Sequence, residues 1–70
     1  MNKKELSIYA TQEKILFERI KYCEKMCYRY YEISVELFKE GDKKEAKKYW
    51  YYTKEFYIEY TEVWGKWYSL

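Results

Sequence analysis

Two cysteines, Cys23 and Cys27, are the side chains with the clearest potential for chemistry, and they lie four residues apart. On an α-helix this spacing places both thiols on one face, where they can act as small buried apolar groups. In a dimer, four thiolates could instead form a tetrahedral zinc site, although the C-x-x-C spacing typical of zinc is absent. An inter-chain disulfide is a third alternative, which a reducing cytosol disfavours. We interpret the pair as buried side chains and predict no metal or other cofactor.

The rest of the composition argues against catalysis. The chain has no histidine, and Asp42 is its only aspartate. The commonest general base, the commonest metal ligand and every Ser-His or Cys-His pair are therefore missing. Catalysis would have to rest on Glu, Lys, Tyr or Cys alone, in 70 residues with little room for a pocket. We predict that the protein is not an enzyme.

Residues 43–54 form a basic stretch in which Glu45 is the only acid. Trp50 and Tyr51 lie among its lysines, and lysine beside aromatic rings is the combination that single-stranded nucleic acid binding uses. However, the lysines spread around the helix and the net charge of the chain is only +2. A solvated helix face is the simpler interpretation. The alternative function is a nucleic-acid-binding regulator that uses Lys43, Lys44, Lys47, Lys48 and Lys54.

Two amphipathic helices are predicted to position these residues. Gly41 suits the left-handed residue that ends a helix, and Asp42 with Glu45 has capping-box spacing. Apolar residues recur three and four positions apart on both sides of this turn, which favours helices over the β-strands that the alternation in residues 29–37 also allows. The stripe of the first segment contains Leu16, Ile20, Cys23, Cys27, Tyr30 or Tyr31, Ser34, and Leu37 or Phe38. The stripe of the second contains Ala46, Tyr49, Thr53, Phe56, Tyr60, Val63 and Trp67.

The predicted fold is all-α, a long antiparallel helical hairpin with helices at about 3–40 and 43–68. The hairpin forms a single domain of residues 1–70. Asn2 with Glu5 is a potential cap at the start of the first helix. At 1.5 Å per residue the first helix is roughly 55 Å long and the second about 40 Å. Residues 1–12 are therefore predicted either to overhang or to fold back as a separate short helix.

The turn and the residues after it follow a known pattern. Gly41-Asp42 is followed by Ala46, Trp50 and Thr53 at the spacing of a turn, a small close-packed residue, an aromatic residue and a second small one. In this respect residues 30–53 resemble one tetratricopeptide-type unit. The first helix is longer than in such a repeat, Ile58 stands in place of the closing proline, and there is no second copy. The resemblance implies hairpin geometry and does not imply the family's peptide-binding groove.

The apolar surface is wider than one hairpin can bury. A seam between two helices needs an apolar stripe of about 100° on each, and the first helix carries apolar residues on both flanks of its stripe. We predict that a homodimer forms a four-helix bundle, the alternative being a monomer with tyrosine rings lying along its surface. The remaining rings are predicted to bind another protein. The predicted interface residues are Tyr22, Tyr28, Tyr51, Tyr57, Trp64 and Trp67.

Location and function class follow from the same composition. No run of 18 apolar residues is present, so we expect no transmembrane helix. Glu5, Glu13 and Glu18 interrupt any signal-peptide core, and we expect a cytoplasmic protein. A small Lys/Glu/Tyr-rich chain without catalytic groups is similar in composition to accessory proteins of phages, archaeal viruses and plasmids, which often bind and modulate a host factor. The predicted function is a protein–protein interaction module of this kind.

Overall fold

A computed structural model describes residues 2–70, which form two helices. Helix α1 spans Lys3–Lys39 and helix α2 spans Lys43–Tyr68. The two helices pack against each other along a shared seam. This confirms the predicted all-α hairpin, with both helices ending within a residue of the expected positions.

Both helices begin with a side-chain cap. The Oδ1 atom of Asn2 accepts a hydrogen bond from the Glu5 amide at 2.8 Å, and the Glu5 carboxylate accepts from the Asn2 amide at 3.3 Å. This is a complete capping box. At α2, the Asp42 carboxylate accepts from the Glu45 amide at 3.2 Å. The caps satisfy amides that have no partner within the first turn of a helix, and they fix where each helix starts.

The chain reverses direction at Gly41, which has a φ of +90°. The Gly41 amide donates to the Phe38 carbonyl at 3.1 Å and the Asp42 amide donates to the Leu37 carbonyl at 3.0 Å. This pair of bonds is the Schellman motif, which pairs the carbonyls at the end of a helix. It requires a left-handed residue, which glycine supplies without the steric penalty of a Cβ.

Helix α1 is continuous and overhangs α2, so the alternative of a short third helix within residues 2–12 is wrong. The Cα atoms extend 59 Å along the long axis, whereas the 26 residues of α2 span about 39 Å. Contacts across the seam pair Ser34 with Ala46 and Cys27 with Thr53. This register places the end of α2 opposite residues near 12. Leu6 and Ile8, which lie beyond that level, are exposed.

The core between the helices is thin. Its buried residues are Ile20, Cys23 and Ser34 on α1, and Ala46, Thr53 and Val63 on α2. Most of these side chains are small, so the helix backbones approach closely where they occur. Many more large apolar and aromatic side chains remain exposed than are buried. The fold therefore leaves wide apolar surfaces on both sides of the seam.

Candidate protein-binding groove

One side of the seam is filled by aromatic rings, and we name it the ring face (Tyr22, Tyr30, Tyr49, Tyr52 and Phe56). The Tyr30 ring stacks on those of Tyr49 and Phe56, at centroid distances of 5.9 and 5.6 Å. Tyr22 meets Phe56 edge-on at 6.1 Å. Rings from both helices thus interlock across this side.

The other side of the seam contains an apolar groove in two adjoining parts. The part nearer the middle of the hairpin has a volume of about 680 Å³, and the part nearer the turn has a volume of about 520 Å³. Trp50 lines both parts and joins them. We name this side the groove face, which is formed mainly by Tyr28, Tyr31, Val35 and Phe38 on α1 and by Trp50, Tyr57 and Ile58 on α2.

Helical spacing explains why these side chains line one groove. Tyr28, Tyr31, Val35 and Phe38 recur at intervals of three and four, so they follow one another along a single flank of α1. Trp50 on α2 faces this flank, and its ring centroid lies 5.9 Å from that of Tyr31. The stripe borders the seam without entering it, which leaves Tyr28 and Phe38 each 64% exposed.

The groove has a basic edge. Lys39, Lys43, Lys47 and Lys54 line it, whereas Glu24 is the only acid among its lining residues. Within residues 2–70 the one ion pair joins Arg19 to Glu59. None of the four lysines is therefore paired with a carboxylate, and their charge is available to a ligand.

The six predicted interface residues lie in different parts of the structure and do not form one surface. Tyr28 and Tyr57 line the groove together. Tyr22 belongs to the ring face, and Tyr51 is exposed with its ring edge-on to Tyr52. Trp64 and Trp67 are half-buried near the end of α2, with centroids 5.4 Å apart.

The aromatic side chains of α2 continue the groove face towards the overhang of α1. Trp64 lies edge-on to Tyr60, which lines the groove, and it stacks on Tyr68 at 5.5 Å. Trp67 contributes a different feature, because its indole Nε1 is buried without a hydrogen-bond partner in the described chain. The ring sequence Tyr57, Tyr60, Trp64 and Tyr68 thus extends the aromatic surface beyond the groove itself.

Only some of the five lysines in the basic stretch line the groove. Lys43, Lys47 and Lys54 line the groove beside Trp50. Lys44 and Lys48 are exposed and do not line it. The stretch is thus not one uniform basic surface, and three of its charges lie next to aromatic rings.

A polar cluster crosses the seam near the middle of α1. The Arg19 guanidinium donates to the Glu59 carboxylate through Nε at 2.9 Å and also through Nη2. These hydrogen bonds lower the pKa of Glu59 and raise that of Arg19. The Cys23 thiol donates to the second oxygen of the same carboxylate at 3.3 Å. Burial, reinforced by this bond to a carboxylate, raises the pKa of Cys23.

The two cysteines are therefore poor candidates for reactive or metal-binding thiols. Cys23 is 0% exposed, and Cys27 donates to the Thr53 carbonyl at 3.6 Å, with a pKa that burial raises. Both thiols are free, and residues 2–70 contain no group of three or more potential metal ligands. A zinc site or disulfide shared between two chains does not fit Cys23, because its sulfur faces α2 of its own chain.

Five residues of the groove face were not among the predicted interface residues: Tyr31, Val35, Phe38, Trp50 and Ile58. The signal for those on α1 was present in the sequence, since Tyr28, Tyr31, Val35 and Phe38 form a stripe parallel to the seam stripe. In the sequence, Trp50 stands among the lysines of the basic stretch and outside the apolar stripe of its helix. Only the packing of the two helices shows that its ring lies between two depressions and remains 44% exposed.

Comparisons with known proteins identify no relative. No protein-family model, curated protein or solved structure matches the chain. Neither helix of the described residues combines the length and the apolar character that a membrane span requires. The function must therefore be argued from the groove face and its charges.

Proposed function

We propose that the protein is a non-enzymatic interaction module that binds another protein through its groove face. The observation that carries this proposal is the exposure of Tyr28, Trp50 and Tyr57 around one apolar depression. Small proteins seldom expose apolar patches of this kind unless they bind something, and Tyr and Trp are enriched among the residues that dominate binding energy. The accessory role and cytoplasmic location predicted from the composition remain part of this proposal.

The predicted homodimeric four-helix bundle competes for the same face. A stable interface buries about 800 Å² on each partner, which is more than the short overhang of α1 offers. A dimer would therefore have to bury the groove face or the ring face. Two paired groove faces would bury many lysines and few acids between them, because Glu24 is the only acid that lines each groove, and an excess of like charge is destabilising. For this reason we assign the groove to a different protein, and we treat the dimer as the alternative that sedimentation distinguishes.

Nucleic acid binding stays the second candidate function. Its support is the position of Lys43, Lys47 and Lys54 beside Trp50, a pairing of phosphate-binding and base-stacking groups. Binding of this kind weakens steeply with salt, because each phosphate contact releases counterions. Loss of binding between about 50 and 200 mM salt would favour this function over protein binding.

The test of the proposal uses two aromatic substitutions on one helix. Trp50→Ala removes the ring shared by both parts of the groove, and Tyr51→Ala removes an exposed ring outside it. A partner isolated from the source cells with the unaltered protein is purified and titrated against all three forms by calorimetry. We expect Trp50→Ala to weaken binding at least about tenfold, as for a residue that dominates an interface, and Tyr51→Ala to leave it unchanged.

Two results would contradict the proposal. Equal affinity of the partner for the Trp50→Ala and unaltered proteins would place the interface elsewhere. Sedimentation as a dimer that Trp50→Ala dissociates would show that the groove face binds a second copy instead.

A further inference from the structure

We infer that the ligand of the groove is an acidic amphipathic helix of the partner protein. This inference rests on the proposed function and specifies what the groove face recognises. It combines three features of the groove: its position between two helices, its length, and the spacing of the lysines along its α2 edge.

The position and length of the groove suit a single helix. A furrow between two packed helices is a surface onto which a third helix can pack, as in helix-in-groove recognition. The lining residues of α1 run from Glu24 to Lys39. At 1.5 Å per residue this stretch is about 22 Å long, which equals about four helical turns. A partner helix of about 15 residues, with apolar side chains at intervals of three and four, would fill it.

The lysine spacing gives the charge pattern of the partner. Lys43, Lys47 and Lys54 are four and seven residues apart, so they are separated by about 6 and 10 Å along the α2 axis. A helix lying alongside α2 would meet them with acids at positions i, i+4 and i+11 if parallel, or i, i+7 and i+11 if antiparallel. Acids at i, i+4, i+7 and i+11 satisfy both directions and form one edge of an amphipathic helix.

The alternative ligands fit less well. The groove face of a second copy offers no acidic edge to pair with these lysines, since Glu24 is the only acid that lines it. A nucleic acid strand meets Glu24 on the α1 side, and the floor of the groove is made of apolar surface with Cys27 and Thr53, which offers phosphates no donors that are free of other bonds. An acidic amphipathic helix can pack its apolar face on the floor of the groove and pair its acids with the lysines.

A charge-swap experiment tests the inference. The probes are two designed 16-residue helical peptides with the same leucine face, one with glutamate and one with lysine at i, i+4, i+7 and i+11. Their binding to the full chain is measured by fluorescence anisotropy at 150 mM salt. The protein variants are K43E/K47E/K54E, which reverses the charge along the α2 side of the groove, and K44E/K48E as a matched control on the same helix. Circular dichroism confirms that each variant is folded.

We expect the unaltered protein and K44E/K48E to bind the glutamate peptide about tenfold more tightly than the lysine peptide. This is the ratio that three exposed ion pairs of moderate strength would give. The triple variant should reverse the preference. Binding of the lysine peptide to the triple variant would show that the groove edge recognises a charged helix. Loss of a phosphate-binding site would not produce this gain, because a dT20 oligonucleotide should not bind a variant in which glutamates replace the lysines.

Three results would overturn the inference. Equal binding of both peptides, weakened by Trp50→Ala, would show an apolar groove that does not select charge, and the proposed function would survive. No binding of either peptide to a monomeric protein would exclude the helix as ligand, and the partner titration described above would then decide the proposed function separately. Binding of dT20 by the unaltered protein, abolished in the triple variant and unaffected by either peptide, would assign the lysines to nucleic acid.

Discussion

The Ser34 hydroxyl of α1 donates a hydrogen bond to the backbone carbonyl of Ala46 on α2, with an Oγ–O distance of 2.9 Å. Both residues are buried, and neither has a side chain large enough to hold the helices apart. The contact lies close to the turn, so it fixes the separation of the helices where the part of the groove nearer the turn forms. Small residues in the seam thereby displace the large rings to its flanks.

Substitutions at this contact should show how closely the backbones approach. Ser34→Ala removes one buried hydrogen bond and should cost about 1 kcal/mol. Ala46→Leu places extra methylene groups between the helices and should cost about 1–3 kcal/mol through overpacking. Urea unfolding followed by circular dichroism measures both. A stable Ala46→Leu protein with an unchanged midpoint would contradict the close approach.

The two glycines should respond in opposite directions to the same substitution. Gly41 has a φ of +90°, so Gly41→Ala strains the backbone and should cost about 1 kcal/mol or more. Gly65 lies inside α2, and a Cβ added there meets no atom within 4 Å. Gly65→Ala should therefore stabilise the protein by about 0.5–1 kcal/mol. The melting temperatures of the two variants, compared with that of the unaltered protein, provide the measurement. If both shift in the same direction, the different roles given to Gly41 and Gly65 are wrong.

Acid should weaken the hairpin through Glu59. The hydrogen bonds from Arg19 lower the folded-state pKa of this carboxyl below its ordinary value of 4.5. Its stabilising contribution is therefore complete above about pH 4.5 and is lost as the pH falls through the lowered value. The pair is partly exposed, so salt should reduce the effect.

The matched variants for this prediction are Glu59→Gln and Glu62→Gln. Glu59→Gln removes the titrating group and should flatten the dependence of the melting temperature on pH between about pH 5 and pH 3. Glu62 is exposed on the same helix and makes no ion pair, so Glu62→Gln should leave the dependence as it is. The same flattening in both variants would show that the acid sensitivity does not arise from the Arg19–Glu59 pair.

Cys23 should react with thiol reagents only when the hairpin opens. Its sulfur is fully buried, and its pKa is raised by burial and by its bond to Glu59. In Cys27→Ser, where Cys23 is the only thiol, labelling at pH 8 should be at least about a hundredfold slower than in urea. Cys23→Ser leaves the partly exposed Cys27, which should label faster. Rapid labelling of Cys23 in the folded protein would contradict the packing of the seam.

Much of the fold could be predicted from the sequence because it depends on local rules. The side-chain caps at Asn2 and Asp42, the glycine at position 41 and the spacing of apolar residues each depend on neighbours within a few positions. They placed both helices and the turn between them. The choice between an overhang and a separate short helix at residues 1–12 does not follow from a local rule, because it depends on whether that segment gains more from folding back than from remaining helical.

The groove required the tertiary structure. On a helical wheel, Tyr22 and Tyr28 are equivalent flanking rings, and both were predicted as interface residues. Packing distinguishes them, since Tyr22 finds Phe56 across the seam whereas Tyr28 borders an unfilled depression. The same holds for the lysines of the basic stretch. The sequence shows five of them on one helix, and only the position of α1 shows which three line the groove.

The sequence by itself therefore determined the helices, their order, their seam and the surplus of aromatic side chains, because periodicity and capping act within one helix. Only the tertiary structure decided which of these aromatic side chains pack against one another across the seam and which border an open groove. The reason is that a depression between two helices depends on their separation and register. Both are set by contacts such as Ser34 to Ala46, which join residues that are distant in the sequence.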